Sequence, residues 1–209
     1  MCGVVGFVGQ PETGSRERFI ALCRQSCIRG VHAFGIAWHT PSEGLRVVKG
    51  LNFKEVMNAV PDPLPHAIVF HNRYSTSGDF RIMENNQPVS VLGVALVFNG
   101  TVDMGTKEEM EARTGYQLTT DNDGEIVLRD FLNGMAFRRI SGSTHLTSFA
   151  GLVIDAEGKV AAFRNEMRPL WAFKESACTF ICSTRDIALR AGFDANNGNP
   201  VEPFKLVVL

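Results

Sequence analysis

The chain opens Met1-Cys2-Gly3-Val4-Val5-Gly6-Phe7-Val8-Gly9, so removal of Met1 leaves a cysteine at the N-terminus. Such a residue carries both a thiol nucleophile and a free α-amine. With ordinary pKa values of about 8.5 and about 8, the amine can take the thiol proton near neutral pH, directly or through one water, without a histidine. Read alone, the stretch fits equally a small buried cysteine opening a strand. Three further groups are placed to do chemistry. Arg73 follows the apolar run Ala67-Ile68-Val69-Phe70 and offers a planar bidentate donor for a carboxylate, or one half of a structural ion pair. Asn99-Gly100 follows the apolar run Val91 to Phe98; it combines a side-chain amide with a backbone N–H free of a neighbouring Cβ, the parts of an oxyanion hole, or else makes a plain hairpin turn. Asp123 precedes a helical pattern and is either an N-cap or, turned into a cleft, a partner for an ammonium group. Together the four describe hydrolysis of the side-chain amide of a free amino acid, and glutamine meets all four requirements.

These residues need rigid elements to hold them. Gly3 to Val8 reads as a strand whose glycines permit close approach of other backbone, followed by a turn at Gln10 to Gly14 and a helix capped by Ser15. Phe19, Ile20, Leu22, Cys23 and Cys27 form the helix's apolar stripe, and Gly30 ends it. Phe34 to His39 and Leu45 to Lys49 read as a hairpin, Phe53 to Val60 as a short helix, Ala67 to Phe70 and Val91 to Phe98 as buried strands. Lys107 to Arg113 and a segment opening at Asp121, Asn122 or Asp123 and running through Met135 read as helices. The last third is strand-rich: Phe149 to Ile154, Lys159 to Phe163, Trp171 to Phe173, Thr179 to Cys182 and Phe204 to Leu209, with a helix over Arg185 to Ala191. Strands in succession with helices clustered between them predict an α+β layered arrangement.

The 209 residues, 44% hydrophobic and 21% charged, can bury a substantial core, and no linker or repeat interrupts them, so a single domain over 1–209 is expected. A net charge of -1 gives no electrostatic footprint for nucleic acid or an anionic membrane surface, and no run has the length of a transmembrane helix. A cytoplasmic protein with neither partner is expected. The five cysteines, an odd number, fit a reducing compartment. Cys23 with Cys27 and Cys178 with Cys182 lie too far apart within each pair for the usual zinc knuckle, so they read as small buried hydrophobes and no metal site is expected.

The order Met1-Cys2-Gly3, Arg29-Gly30, His71-Asn72-Arg73-Tyr74-Ser75-Thr76-Ser77-Gly78, Asn86-Gln87-Pro88, Asn99-Gly100, Asp123-Gly124-Glu125-Ile126, Arg164 and Arg168-Pro169-Leu170 resembles the class II glutamine amidotransferase domain of the N-terminal-nucleophile hydrolases. Arg-Tyr-Ser-Thr-x-Gly and Asn-x-Gln-Pro are most similar to the amidophosphoribosyltransferase variant. The resemblance implies a four-layer αββα sandwich of two antiparallel sheets, with Cys2 as nucleophile and its amine as base. It implies Asn99 and Gly100 as oxyanion hole, Arg73, Tyr74 and Thr76 around the substrate α-carboxylate, Asp123 on the α-ammonium, Arg29 in support of the nucleophile, and no metal or cofactor. Two positions depart from the family pattern: His32 stands where an aspartate is usual, and Phe98 where a histidine is common. The segment from Tyr74 to Pro88 is expected to close over glutamine. Because no acceptor domain occurs within these residues, the ammonia acceptor is expected to be a separate synthase, docked near Arg168 to Trp171; Trp171 as plain core is the alternative. A non-catalytic glutamine-binding or scaffold module is the other function class compatible with the same residues.

Overall fold

The computed structural model describes residues 1–135 and 148–209. In chain order these form β1 (Gly3–Gly9), α1 (Ser15–Ser26), β2 (Ala33–Thr40), β3 (Gly44–Gly50), α2 (Phe53–Asn58), β4 (Ala67–Arg73), β5 (Val89–Val91), β6 (Val94–Thr101), α3 (Lys107–Thr114) and α4 (Gly124–Leu132). There follow β7 (Ser148–Ile154), β8 (Val160–Arg164), β9 (Trp171–Glu175), β10 (Cys178–Cys182), α5 (Arg185–Arg190), β11 (Gly198–Pro200) and β12 (Leu206–Val208). One sheet has the order β11-β9-β10-β1-β4-β2-β3 and the other β12-β8-β7-β6-β5, and the strand pairs are antiparallel.

Strand alternation explains why the central strands are apolar almost throughout: both of their faces are covered. In β1, Val5 and Phe7 point toward Phe19, Leu22 and Cys23 of α1, Val56 and Met57 of α2, and Ile187 and Ala188 of α5. Val4 points the other way, into a layer of Val69, Ala95, Val97, Ala150 and Leu152 between the sheets. These inter-sheet side chains are mostly small. On the far side, Leu96, Phe98, Phe149, Val153 and Phe163 pack under Val127 and Leu128 of α4. The result is the four-layer αββα sandwich, with α1, α2 and α5 on one outside and α4 on the other. No helix among the described residues is long and apolar enough to cross a membrane.

Several boundaries differ from the sequence reading. Ser15 is the first helical residue rather than the cap: Gly14 holds the N-cap position with φ 84°, and the Ser15 hydroxyl accepts the Glu12 N–H instead. The run expected as one strand from Val91 is a hairpin, because Leu92 and Gly93 take positive φ between β5 and β6. β4 continues through His71, Asn72 and Arg73, and β6 through Asn99 and Gly100, so both polar stretches lie within strands. α4 stops at Leu132, before Met135, and β11 was not anticipated. Cys23, Cys178 and Cys182 are buried free cysteines in the layer under α1 and α5. Leu170 is fully buried and Trp171 packs against the core, with the Arg185 guanidinium 5.9 Å from its ring centroid.

Candidate active site

The same alternation that builds the core aims the site. Val4 of β1, Val69 of β4 and Val97 of β6 face the inter-sheet layer. Cys2, two residues before Val4, His71 and Arg73, two and four after Val69, and Asn99, two after Val97, therefore face the same layer at one end of the sandwich. Cys2 precedes β1, whose Gly3 pairs with Asn72, and Arg73 of β4 pairs with Ala33 of β2. One cavity is lined by Cys2, Arg73, Tyr74, Thr76, Gly100 and Asp123, together with Gln87 and Asn122. Of the expected site residues, Asn99 joins them through Cys2: the Cys2 backbone N–H donates to Asn99 Oδ1 at 3.2 Å. Arg29, in the turn after α1, donates from Nε to the Cys2 carbonyl at 2.7 Å.

Asn99 has an uncommon accounting. Its Oδ1 is used by Cys2, while its Nδ2 is buried without a hydrogen-bond partner. A buried unpaired donor is costly and calls for a functional explanation. Gly100 has a packing role as well. Its missing Cβ is required on the β7 side, where a Cβ would lie 2.1 Å from the Ser148 carbonyl oxygen. Close packing of β6 on β7 therefore already demands glycine there.

Arg73 is buried, and its guanidinium is engaged. Nη1 donates to the Asn85 carbonyl at 2.5 Å and to Asn86 Oδ1 at 2.6 Å, and Nη2 donates to the carbonyls of Ser77 and Gly78. The cavity measures about 20 Å³, room for one water molecule. Asp123 occupies the N-cap position of α4 without capping it. Its Oδ2 instead accepts the N–H groups of Val102 at 2.7 Å and Asp103 at 3.3 Å. Burial raises the Asp123 carboxyl above the usual range, opposed by those two bonds. Burial also pushes the Cys2 thiol up, with the Arg73 charge working against it. The thiol donates to the Tyr74 carbonyl at 3.6 Å, and Tyr74 is half exposed.

Supporting contacts carried less sequence signal. Asn72 points to the opposite face from Arg73 and ties the end of α1 to β4: Nδ2 donates to the carbonyls of Ser26 at 3.1 Å and Gly30 at 2.9 Å, and the Ser26 hydroxyl donates to Oδ1 at 2.7 Å. Gln87 Oε1 accepts the Phe98 N–H at 2.5 Å, joining the Asn-x-Gln-Pro stretch to β6. His71 Nε2 donates to the Phe98 carbonyl at 3.1 Å across the sheets; a carbonyl only accepts, so Nδ1 is the unprotonated nitrogen, and it has no partner. Phe98 packs under α4 and also borders the cavity, its ring lying against Gly100. His32 supports the loop after β4: its Nδ1 accepts the Ser75 N–H at 3.0 Å. The described residues contain no cluster of His, Cys, Asp and Glu able to hold a metal ion.

No family model matches the chain. Over 142 residues, 64% of its length, it is 28% identical to glutamine–fructose-6-phosphate aminotransferase (isomerizing) from Bacillus subtilis, and equally to that of Bacillus spizizenii. The matched region is 23% of either relative, so the chain spans about a quarter of the length of these curated proteins. Among solved structures, a glutamine phosphoribosylpyrophosphate amidotransferase from B. subtilis superposes with a TM-score of 0.71 at 20% identity, covering 99% of this chain and 50% of that one. A glutamine aminotransferase class-II domain protein from Silicibacter pomeroyi superposes with a TM-score of 0.53 at 12% identity, covering 98% of this chain and all of that one. The chain has the fold of the class II glutamine amidotransferase domain, the family its sequence resembles.

Proposed function

We propose that this protein hydrolyses the side-chain amide of glutamine through a thioester on Cys2. With Met1 removed, the Cys2 α-amine takes the thiol proton, and Sγ attacks the amide carbon of the substrate. The oxygen becomes an oxyanion, which accepts hydrogen bonds from Asn99 Nδ2 and the Gly100 N–H. Collapse returns the proton to the leaving nitrogen, ammonia departs, and the γ-glutamyl thioester remains. Water activated by the same amine then attacks, giving glutamate and the free thiol. Arg73 with Tyr74 and Thr76 holds the α-carboxylate and Asp123 the α-ammonium. The observation that carries this reading is Asn99: one amide atom takes the Cys2 N–H and the other is a buried donor without a partner, as an oxyanion site in waiting. A base supplied within the nucleophile also fits a thiol that burial pushes up, since the thiolate does not form unaided.

The ammonia serves a synthesis on an acceptor, as the names of the amidotransferase and aminotransferase relatives indicate for those proteins. Here we place that acceptor on a synthase acting in trans. The test is the full chain and Cys2→Ala assayed for glutamate release from glutamine, with intact mass to establish whether Met1 is removed. The variant should keep the thermal transition of the parent and lose activity by at least about a thousandfold. Undiminished activity in Cys2→Ala would refute the mechanism. A second reading, a glutamine-binding module without chemistry, draws on His32, which stands where the resembled family usually has an aspartate. Calorimetric glutamine binding with no turnover in the processed parent protein would single it out.

A further inference from the structure

Residues 74–80 form a strap that leaves β4 directly after Arg73 and lends Tyr74, Thr76 and Ser77 to the lining of the cavity. Two groups hold it down. From inside, the Arg73 Nη2 donates to the carbonyls of Ser77 and Gly78. From outside, His32 makes three contacts. Its backbone N–H donates to the Arg73 carbonyl at 3.0 Å, where the strap begins. Its Nδ1 accepts the Ser75 N–H at 3.0 Å. Its ring stacks on those of Tyr74 and Phe80, with centroids 5.1 and 5.0 Å away and interplanar angles of 24° and 22°. The first and last residues of the strap are thereby both stacked on one imidazole. A carboxylate in this place could accept from Ser75 but has no faces to stack, and a phenyl ring could stack but not accept; the imidazole does both.

The inner contacts have a consequence for substrate. If Arg73 holds the glutamine α-carboxylate, as proposed above, its Nη2 hydrogens are the ones the Ser77 and Gly78 carbonyls take in this structure. Strap and carboxylate then compete for one group, and with the strap down the cavity admits about one water. We propose that His32 is the latch of this closed strap: a positioning residue, outside the reacting groups, that sets how often Arg73 and Cys2 are open to glutamine. Binding affinity falls in proportion to the fraction of molecules that are open, so loosening the latch strengthens apparent binding.

The test uses the full chain with His32→Ala, which removes acceptor and ring, and His32→Asn, which keeps an acceptor near the position of Nδ1. The readouts are Cys2 alkylation by iodoacetamide followed by peptide mass, deuterium exchange over 74–80, and steady-state glutamine kinetics. His32→Ala should raise alkylation and strap exchange about tenfold, the combined worth of a hydrogen bond and ring stacking. Its glutamine KM should fall several-fold, with kcat changing less. His32→Asn should lie between parent and His32→Ala in all three. Parental alkylation and exchange rates in His32→Ala overturn the proposal, as does a raised KM, which would make the latched strap the binding conformation. Loss of protection in β1 and β4 along with the strap in both variants also overturns it, because His32 would then serve the whole fold. Alkylation and exchange need no turnover. A parent without glutaminase activity whose Cys2 is nonetheless unmasked by His32→Ala would retire the catalytic reading and leave the latch standing.

Discussion

At the scale of residues, the two atoms of the Asn99 amide do different work. Oδ1 accepts from Cys2 and so helps place the nucleophile, whereas Nδ2 is free to meet developing negative charge. Asn99→Asp is nearly isosteric and keeps an acceptor for Cys2, but removes the donor and sets a negative charge beside the oxyanion. It should lower kcat by about 100- to 1000-fold and leave the glutamine KM within a few-fold, the pattern of an interaction made in the transition state. Steady-state kinetics decide it: a large rise in KM at constant kcat would move Asn99 from the oxyanion to ground-state binding. Asn99 was legible as a candidate because an amide beside glycine ends an apolar run. Its place inside β6, paired with Ala150, was not, because Asn-Gly is locally a turn signal and only the β7 ladder overrides it.

At the scale of elements, β1, β4 and the end of α1 meet at Gly3. A Cβ there would lie 2.1 Å from both Asn72 Oδ1 and Ser26 Oγ, the two atoms of the bond that ties α1 to β4. The same junction carries Arg29 to the Cys2 carbonyl. Gly3→Ala should therefore destabilise the protein by about 2–4 kcal/mol through overpacking and also lower activity, since the displaced part adjoins the nucleophile. Urea denaturation measures the first effect, and Ser26→Ala added to Gly3→Ala should recover part of it by removing one of the atoms struck. A Gly3→Ala protein as stable as the parent would mean that the junction yields at little cost. The three glycines of β1 were readable as sites of close approach; that Gly3 meets a side-chain pair rather than backbone follows from the register of Gly3 with Asn72.

At the scale of the whole molecule, the inter-sheet layer makes stability depend on pH through His71. This imidazole is fully buried, and burial, with the Arg73 charge adding to it, lowers its pKa to about 3. The unfolded chain titrates near 6.5. Below that value the unfolded state gains a proton that the native state refuses, so stability is lost as pH falls from about 6.5 toward 3. Asp123 acts with the opposite sign: its raised pKa lets the native state take a proton before the unfolded one does. Between pH 7 and 5 the His71 contribution amounts to roughly 1–2 kcal/mol. In His71→Gln, whose amide can still donate to the Phe98 carbonyl, the fall in unfolding free energy over that interval should shrink by about this amount. An undiminished fall would assign the acid sensitivity to other groups.

The sequence by itself determined which residues carry chemistry and on which kind of element they ride. A cysteine after Met1, an arginine four residues and an asparagine two residues beyond inward-facing valines, and an aspartate before a helix follow from residue type and from the two-residue period of strands. Apolar runs without alternation likewise announced strands covered on both faces, and hence layers. Tertiary structure alone decided the rest, because the partners are backbone groups brought near by distant pairing. The carbonyls of Ser77, Gly78 and Asn85 on Arg73, the N–H groups of Val102 and Asp103 on Asp123, and the Ser75 N–H on His32 belong to loop conformations that side-chain patterns do not encode. A backbone group looks the same at every position in a sequence, and only the folded chain determines which one a buried charge will meet.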